Sequence, residues 1–210
     1  MLRKLWITLA LVMALCVPAY AVTIDFNVFS PSAGSIGFAG GATPLIGSGI
    51  PVYAVKADNG TPIVFTDTVL LNFTTGNFTY AGLDDWHFGS GGSISIVDTT
   101  KSETFLIGSF TAAEVDKFGT SFNVAIAGFT DCKTTDLFTL LGLTGLSTTG
   151  WDGNMNLSFT ASGRPGNSFC SYAIGSGDVV NNSPVPLPPS MLLLGSGLLG
   201  LVALRGRRKA

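Results

Sequence analysis

The sequence predicts an all-β fold, an antiparallel β-sandwich or jelly-roll-like ectodomain, with a C-terminal transmembrane helix behind it. Three observations carry that expectation. Apolar and polar residues alternate in roughly nine to twelve short runs, most of them bounded by Gly, Asn, Asp, Ser or Pro. No long amphipathic helix pattern interrupts them. The chain then turns apolar from Met191 to Leu204 and ends in a basic cluster.

The elements follow in order. Met1 to Ala21 read as a secretory signal peptide: Arg3-Lys4 is the positive start, Leu5 to Val17 the apolar run, and Ala19-Tyr20-Ala21 the small-residue cleavage site. Signal peptidase is therefore an expected partner. The exported domain is expected at 22–183. Ile24, Phe26 and Val28 alternate with Thr23, Asp25 and Asn27, the period of a half-buried strand. Glycine-rich residues 34–49 allow one short strand near Ile36 to Phe38. Strands are then expected at Val52 to Lys56, Ile63 to Phe65, Val69 to Thr74 and Asn77 to Tyr80, the last two joined as a hairpin at Thr75-Gly76-Asn77. Ser93 to Val97 and Thr104 to Phe110 form a further pair around Asp98 to Lys101. Thr111-Ala112-Ala113-Glu114 has capping-box spacing and predicts a helix of about two turns, stopped by Gly119. Ser121 to Ala127, Asn156 to Thr160 and Phe169 to Ile174 return to strand alternation, while Leu137 to Leu146 fits either a short helix or a broken strand. A β-helix is the alternative that so many glycine breaks tolerate.

Charge and cysteine content exclude several functions. Residues 22 to 184 hold all 13 acids but only five basic residues, Lys56, Lys101, Lys117, Lys133 and Arg164, a balance of about −8. Nucleic acid is excluded as a partner, because phosphate binding needs clustered Lys and Arg. One histidine excludes a multi-histidine metal centre. No cofactor, metal ligand or catalytic residue is expected. Cys16 leaves with the signal peptide, so Cys132 and Cys170 remain in an oxidising compartment, where a disulfide between them is the economical reading.

Asp84-Asp85-Trp86 is the candidate glycan contact, with two carboxylates for sugar hydroxyls and an indole face for the ring. The favoured alternative is an acidic turn with Trp86 packed in the core. Asp152-Gly153-Asn154-Met155-Asn156 starts like a calcium loop but has Leu157 where that loop needs Gly. As a strand it sets Asp152, Asn154 and Asn156 outward as a polar ladder, with Met155, Leu157 and Phe159 inward.

Residues 184–210 are tripartite: a stiff proline segment, an apolar run expected as a transmembrane helix at 190–204, and the basic stop Arg205, Arg207, Arg208 and Lys209. This tail resembles the PEP-CTERM sorting signal. Val185, Pro186 and Pro188 match its Val-Pro-Glu-Pro-like motif, with Leu187 where Glu is usual. The resemblance implies export from a Gram-negative cell, an inner-membrane intermediate handled by exosortase, and delivery to the cell surface or extracellular matrix. The expected function is a non-enzymatic surface or matrix protein that associates with exopolysaccharide. The alternatives are an extracellular carbohydrate-active hydrolase using a pair of acidic residues, or a protein-binding adhesion module.

Overall fold

The computed structural model describes residues 21–29, 32–58, 60–66 and 68–184, the side chains of 125–127 excepted. The expected signal peptide and sorting tail lie outside the described residues, apart from Ala21 and Pro184 at their inner ends. Val22–Pro184 forms one compact unit. Its described residues contain β1 (Thr23–Val28), β2 (Ser35–Phe38), β3 (Pro44–Pro51), β4 (Ala54–Ala57), β5 (Ile63–Val64), β6 (Val69–Ala81), β7 (Asp85–Phe88), β8 (Gly91–Asp98), β9 (Glu103–Phe118), β10 (Ser121–Lys133), the short helix α1 (Thr135–Leu140), β11 (Thr149–Ala161) and β12 (Phe169–Asn182).

All strand pairs are antiparallel, and their registers merge the 12 strands into eight positions of an up-and-down meander. β1 and β2 both pair with β12 and share one position. β3 and β4 share the next, pairing back onto β2 and β1. β5 and β6 continue it. β7 and β8 are one strand bent at Gly89-Ser90, each lying between β6 and β9. β10, β11 and β12 follow in turn, and β12 lies between β11 on one side and β1 and β2 on the other. The sheet therefore closes on itself as an eight-stranded barrel. This corrects the expected sandwich or jelly roll: a meander whose last strand reaches its first leaves no second sheet to stack on.

The barrel is filled by its own side chains. Ile24 and Phe26 of β1, Leu71 of β6, Ile96 of β8, Val115 of β9, Val124 of β10, Met155 and Leu157 of β11 and Val179 of β12 are all fully buried in one cluster. Aromatic rings pack both ends. Trp86, Phe122, Phe159 and Phe169 meet at one end, with centroids 5.1–5.8 Å apart between neighbours. At the other end α1 folds inward and Phe138 meets Trp151 at 5.7 Å. That helix is capped by Thr134, with Asp136 in its first turn, and it buries Leu137 and Phe138. The outward positions of β11 are polar: Asp152, Asn154, Asn156 and Thr160 are all exposed. A membrane-spanning barrel carries the reverse pattern.

No helix among the described residues is long and apolar enough to cross a membrane, which corrects the expectation of a transmembrane helix in this fold. α1 has six residues, far below the roughly 20 a span needs. The run at 190–204 lies outside the described residues.

Two local expectations also give way to long-range pairing. The capping-box segment from Thr111 is strand, because Ala113 and Val115 point into the core while β7 and β10 pair on either side. Thr111 Oγ1 donates to the carbonyl of Gly128, across the sheet. The hairpin at Thr75-Gly76-Asn77 is continuous β6. Gly76 serves a close approach there: a Cβ would lie 2.3 Å from the Ser90 carbonyl oxygen and 2.4 Å from that of Gly89. Gly76→Ala should therefore cost about 1–3 kcal/mol, read from a denaturant melt.

Cys132 and Cys170 are free and exposed, which corrects the expected disulfide. Cys132 pairs with Thr149 at the start of β11, whereas Ser171, next to Cys170, pairs with Ala161 at its end. Twelve residues of strand separate those positions, about 40 Å at the strand rise. A disulfide needs its Cα atoms within about 7 Å. In the chain lacking residues 1–21, and with them Cys16, both thiols should react with a maleimide in the native state, and a count of two adducts by mass checks it.

Candidate functional site

Near the Trp86 end, the outer wall sets polar side chains in two rows across neighbouring strands. Tyr80 of β6 pairs with His87 of β7, which pairs with Glu114 of β9. One step along, Asp85 pairs with Asp116, which pairs with Asn123 of β10. His87 sits at the crossing. Its Nε2 lies 3.2 Å from Asp85 Oδ1, and its Nδ1 lies 3.6 Å from Glu114 Oε2. Tyr80 stacks on the imidazole with centroids 4.1 Å apart, while the residue as a whole stays 58% exposed. Asp85 Oδ1 also accepts from the Gly82 amide at 2.6 Å, which pins the carboxylate.

The ligand atoms of Asp85, His87 and Glu114 lie within 4.8 Å of one another. Imidazole and carboxylate together suit a divalent transition metal. The same groups can hydrogen-bond sugar hydroxyls beside the apolar face of Tyr80. Burial pushes the Glu114 carboxyl above its usual range; His87 pulls it back, and Asp116 and Asp85 push it further up.

The candidate trio is split by the strand, and Trp86 takes the core position favoured for it. Asp84 is exposed in the turn, where its carbonyl accepts from the Lys117 amide. Asp85 reaches the outer wall. Trp86 points the opposite way, as strand alternation requires. It is fully buried, and its Nε1 donates to the Asn167 carbonyl at 3.2 Å. His87 and Glu114 take the places beside Asp85. The period of two could have paired Asp85 with His87, but Glu114 was hidden by the capping-box reading of its segment.

A second polar group lies inside the barrel, at the α1 end. Lys133 of β10 and Asn181 of β12 are buried, and Lys133 Nζ donates to Asn181 Oδ1 at 3.0 Å. Lys133 also pairs with Asp131, both side chains fully enclosed. Asp131 Oδ2 has no hydrogen-bond partner. The Trp151 ring centroid lies 5.1 Å from the Lys133 nitrogen. Burial pushes the Asp131 carboxyl up against the pull of Lys133, and pushes the Lys133 ammonium down to about 8 against the pull of Asp131. Both directions favour the neutral forms.

A PEP-CTERM protein-sorting motif matches residues 184–209, consistent with an exosortase substrate. It supports export and surface sorting and implies an exosortase-type sorting partner. The matched span contains Val185, Pro186, Leu187 and Pro188 as well as Arg205, Arg207, Arg208 and Lys209. No curated protein and no solved structure matches the chain.

The outer-wall electrostatics are testable by carboxyl NMR titration. Glu114 should titrate above 4.5, moving down in Asp116→Asn and further up in His87→Gln. A raised carboxyl binds its proton more tightly in the folded state, so its contribution to stability should decline as pH rises from 4.5 through the folded value.

Proposed function

We propose that this chain is a non-enzymatic surface or extracellular-matrix protein of a Gram-negative cell. Signal peptidase removes residues 1–21, an exosortase-like enzyme handles the tail at the inner membrane, and the barrel is delivered folded. The observation that carries the reading is the sorting motif at 184–209, which begins two residues after β12 ends at Asn182. The barrel suits such delivery: its interior is packed, and its strands pair around the ring.

Exopolysaccharide is the partner this reading favours. Tyr80 offers an exposed ring face beside the carboxylates of Asp85 and Glu114, the combination that meets both the apolar face and the hydroxyls of a sugar. Trp86, enclosed in the core, is replaced in that role by Tyr80.

Two measurements test the two halves. The purified chain should be retained on exopolysaccharide from its own producing cells, and Tyr80→Ala should melt normally yet bind about tenfold more weakly, near 1.4 kcal/mol. New reducing ends that disappear in Glu114→Gln would favour the hydrolase instead. Retention by a protein but by no glycan would favour the adhesion module. Separately, Pro186→Ala with Pro188→Ala should leave export intact and make the unprocessed form accumulate on size analysis of cell fractions. Processing at the wild-type rate would overturn the sorting assignment.

A further inference from the structure

The interior group of Lys133, Asp131 and Asn181 has no part in glycan contact or sorting, and a buried charge pair is a poor source of stability for a barrel. Its arrangement suits a reaction. We propose that Lys133 and Asn181 become joined by an intramolecular isopeptide bond, with Asp131 carrying the protons and ammonia leaving.

Each requirement of that step is met by a named group. The nucleophile is the Lys133 amine, which attacks only when neutral, and enclosure favours that form. The electrophile is the Asn181 carboxamide. Its Oδ1 is 3.0 Å from Nζ, which puts its Cγ about 3.2–4.2 Å from the nitrogen for a carbonyl of about 1.23 Å. That range reaches the roughly 3–3.5 Å from which bonds form. The leaving nitrogen, Asn181 Nδ2, is oriented by donating to the Val179 carbonyl at 3.2 Å. The acid is Asp131, paired to Nζ through Oδ1, with Oδ2 unpartnered in the barrel interior. An unpartnered buried carboxylate oxygen is costly, whereas a protonated carboxyl can donate toward the amide. Trp151 covers the nitrogen, and fully enclosed side chains keep competing water out.

The step balances. The Lys133 ammonium gives one proton to the Asp131 carboxylate. The freed amine lone pair forms the new bond to Asn181 Cγ, and the Cγ=O π electrons move onto Oδ1. Asp131 then relays a proton from the attacking nitrogen to Nδ2. The Cγ–Nδ2 bond breaks and ammonia departs. What remains is an amide between Nζ and Cγ and a neutral Asp131. No oxidant or reductant is required.

The link would cross beneath β11, tying β10 to β12 only three residues before the sorting motif begins at 184. Force applied through the tail would meet a covalent strut rather than a row of hydrogen bonds.

Intact mass and peptide mapping of the full chain, isolated after export with its ends sequenced, test the proposal. The expected mass is one ammonia below that of the sequence between its mapped ends, with a branched fragment containing Lys133 and Asn181. After denaturation Lys133 should resist acylation. Asn181→Asp should give the same branch with loss of water instead. Asp131→Asn should fold unbranched and melt roughly 10 °C lower, the shift expected from opening a loop of this size. An unmodified mass with an acylatable Lys133 would overturn the proposal. So would ammonia loss without a branched fragment, the mark of a succinimide. A branch that persists in Asp131→Asn would overturn the role given to Asp131. The wild-type measurement decides the bond even if a variant fails to fold.

Discussion

Closure of the ring at β12 is the constraint on which the rest of the barrel depends. β12 pairs with β11 along one side and with β1 and β2 along the other, joining the last strand of the meander to the first. Until that seam forms, β11 and β1 are open edges, the condition that invites pairing with other chains. Its formation brings together groups far apart in sequence. Ser183 Oγ accepts from the Val22 amide at 2.8 Å, and Asn182 Oδ1 accepts from Thr23 Oγ1 at 2.9 Å. The two ends of the barrel chain are thus held beside each other at the seam.

Strand composition was legible because the interior is apolar and the exterior polar, so the period of two survives in most segments. β1 and β11 show it without interruption. What stayed illegible was pairing. The glycines at 34, 76 and 142 look alike in a sequence, yet Gly76 is pressed against a neighbouring strand within β6, while Gly142 follows α1 with φ 68°. Local signals also lost where both neighbours supplied hydrogen bonds: residues 111–118 have the spacing of a capped helix, but β7 pairs with 113–116 on one side and β10 with 114–118 on the other. The choice between sandwich and barrel rests on β12 meeting β1, a contact across the whole domain.

The candidate site was half legible for the same reason. Asp85 and His87 lie two apart on one strand, so their shared face follows from period alone. Glu114 and Asp116 arrive only through the β7–β9 pairing, and Tyr80 only through β6. Trp86 follows the same period, which favours the core for it and separates it from its neighbours in sequence. It lies between Asp85 and His87 in the chain but on the other side of the wall. Cys132 and Cys170 make the complementary point: an even count in an exported chain suggests a bond, and register places them at opposite ends of β11.

The outer-wall group and the interior group answer different physical demands. On the outer wall, Asp85, His87 and Glu114 keep contact with solvent, so their mutual charges are moderated and can be redirected toward a ligand at small cost. Inside, Lys133 and Asp131 have no solvent to moderate them, and enclosure works against both charges. An interior built for stability alone would place apolar side chains there, as it does with Met155 and Leu157 along the neighbouring strand. The polar group instead occupies the α1 end of the barrel, beside Trp151 and against the last residues of the closing strand. That is one end of the seam: β12 stops at Asn182, and the sorting motif begins two residues later. Lys133 reaches this point from β10, past β11, and so connects the end of the closing strand to a strand that pairs with neighbours on both sides. The interior group therefore sits where the closing strand ends, at a point where a link between β10 and β12 can offset the desolvation it costs.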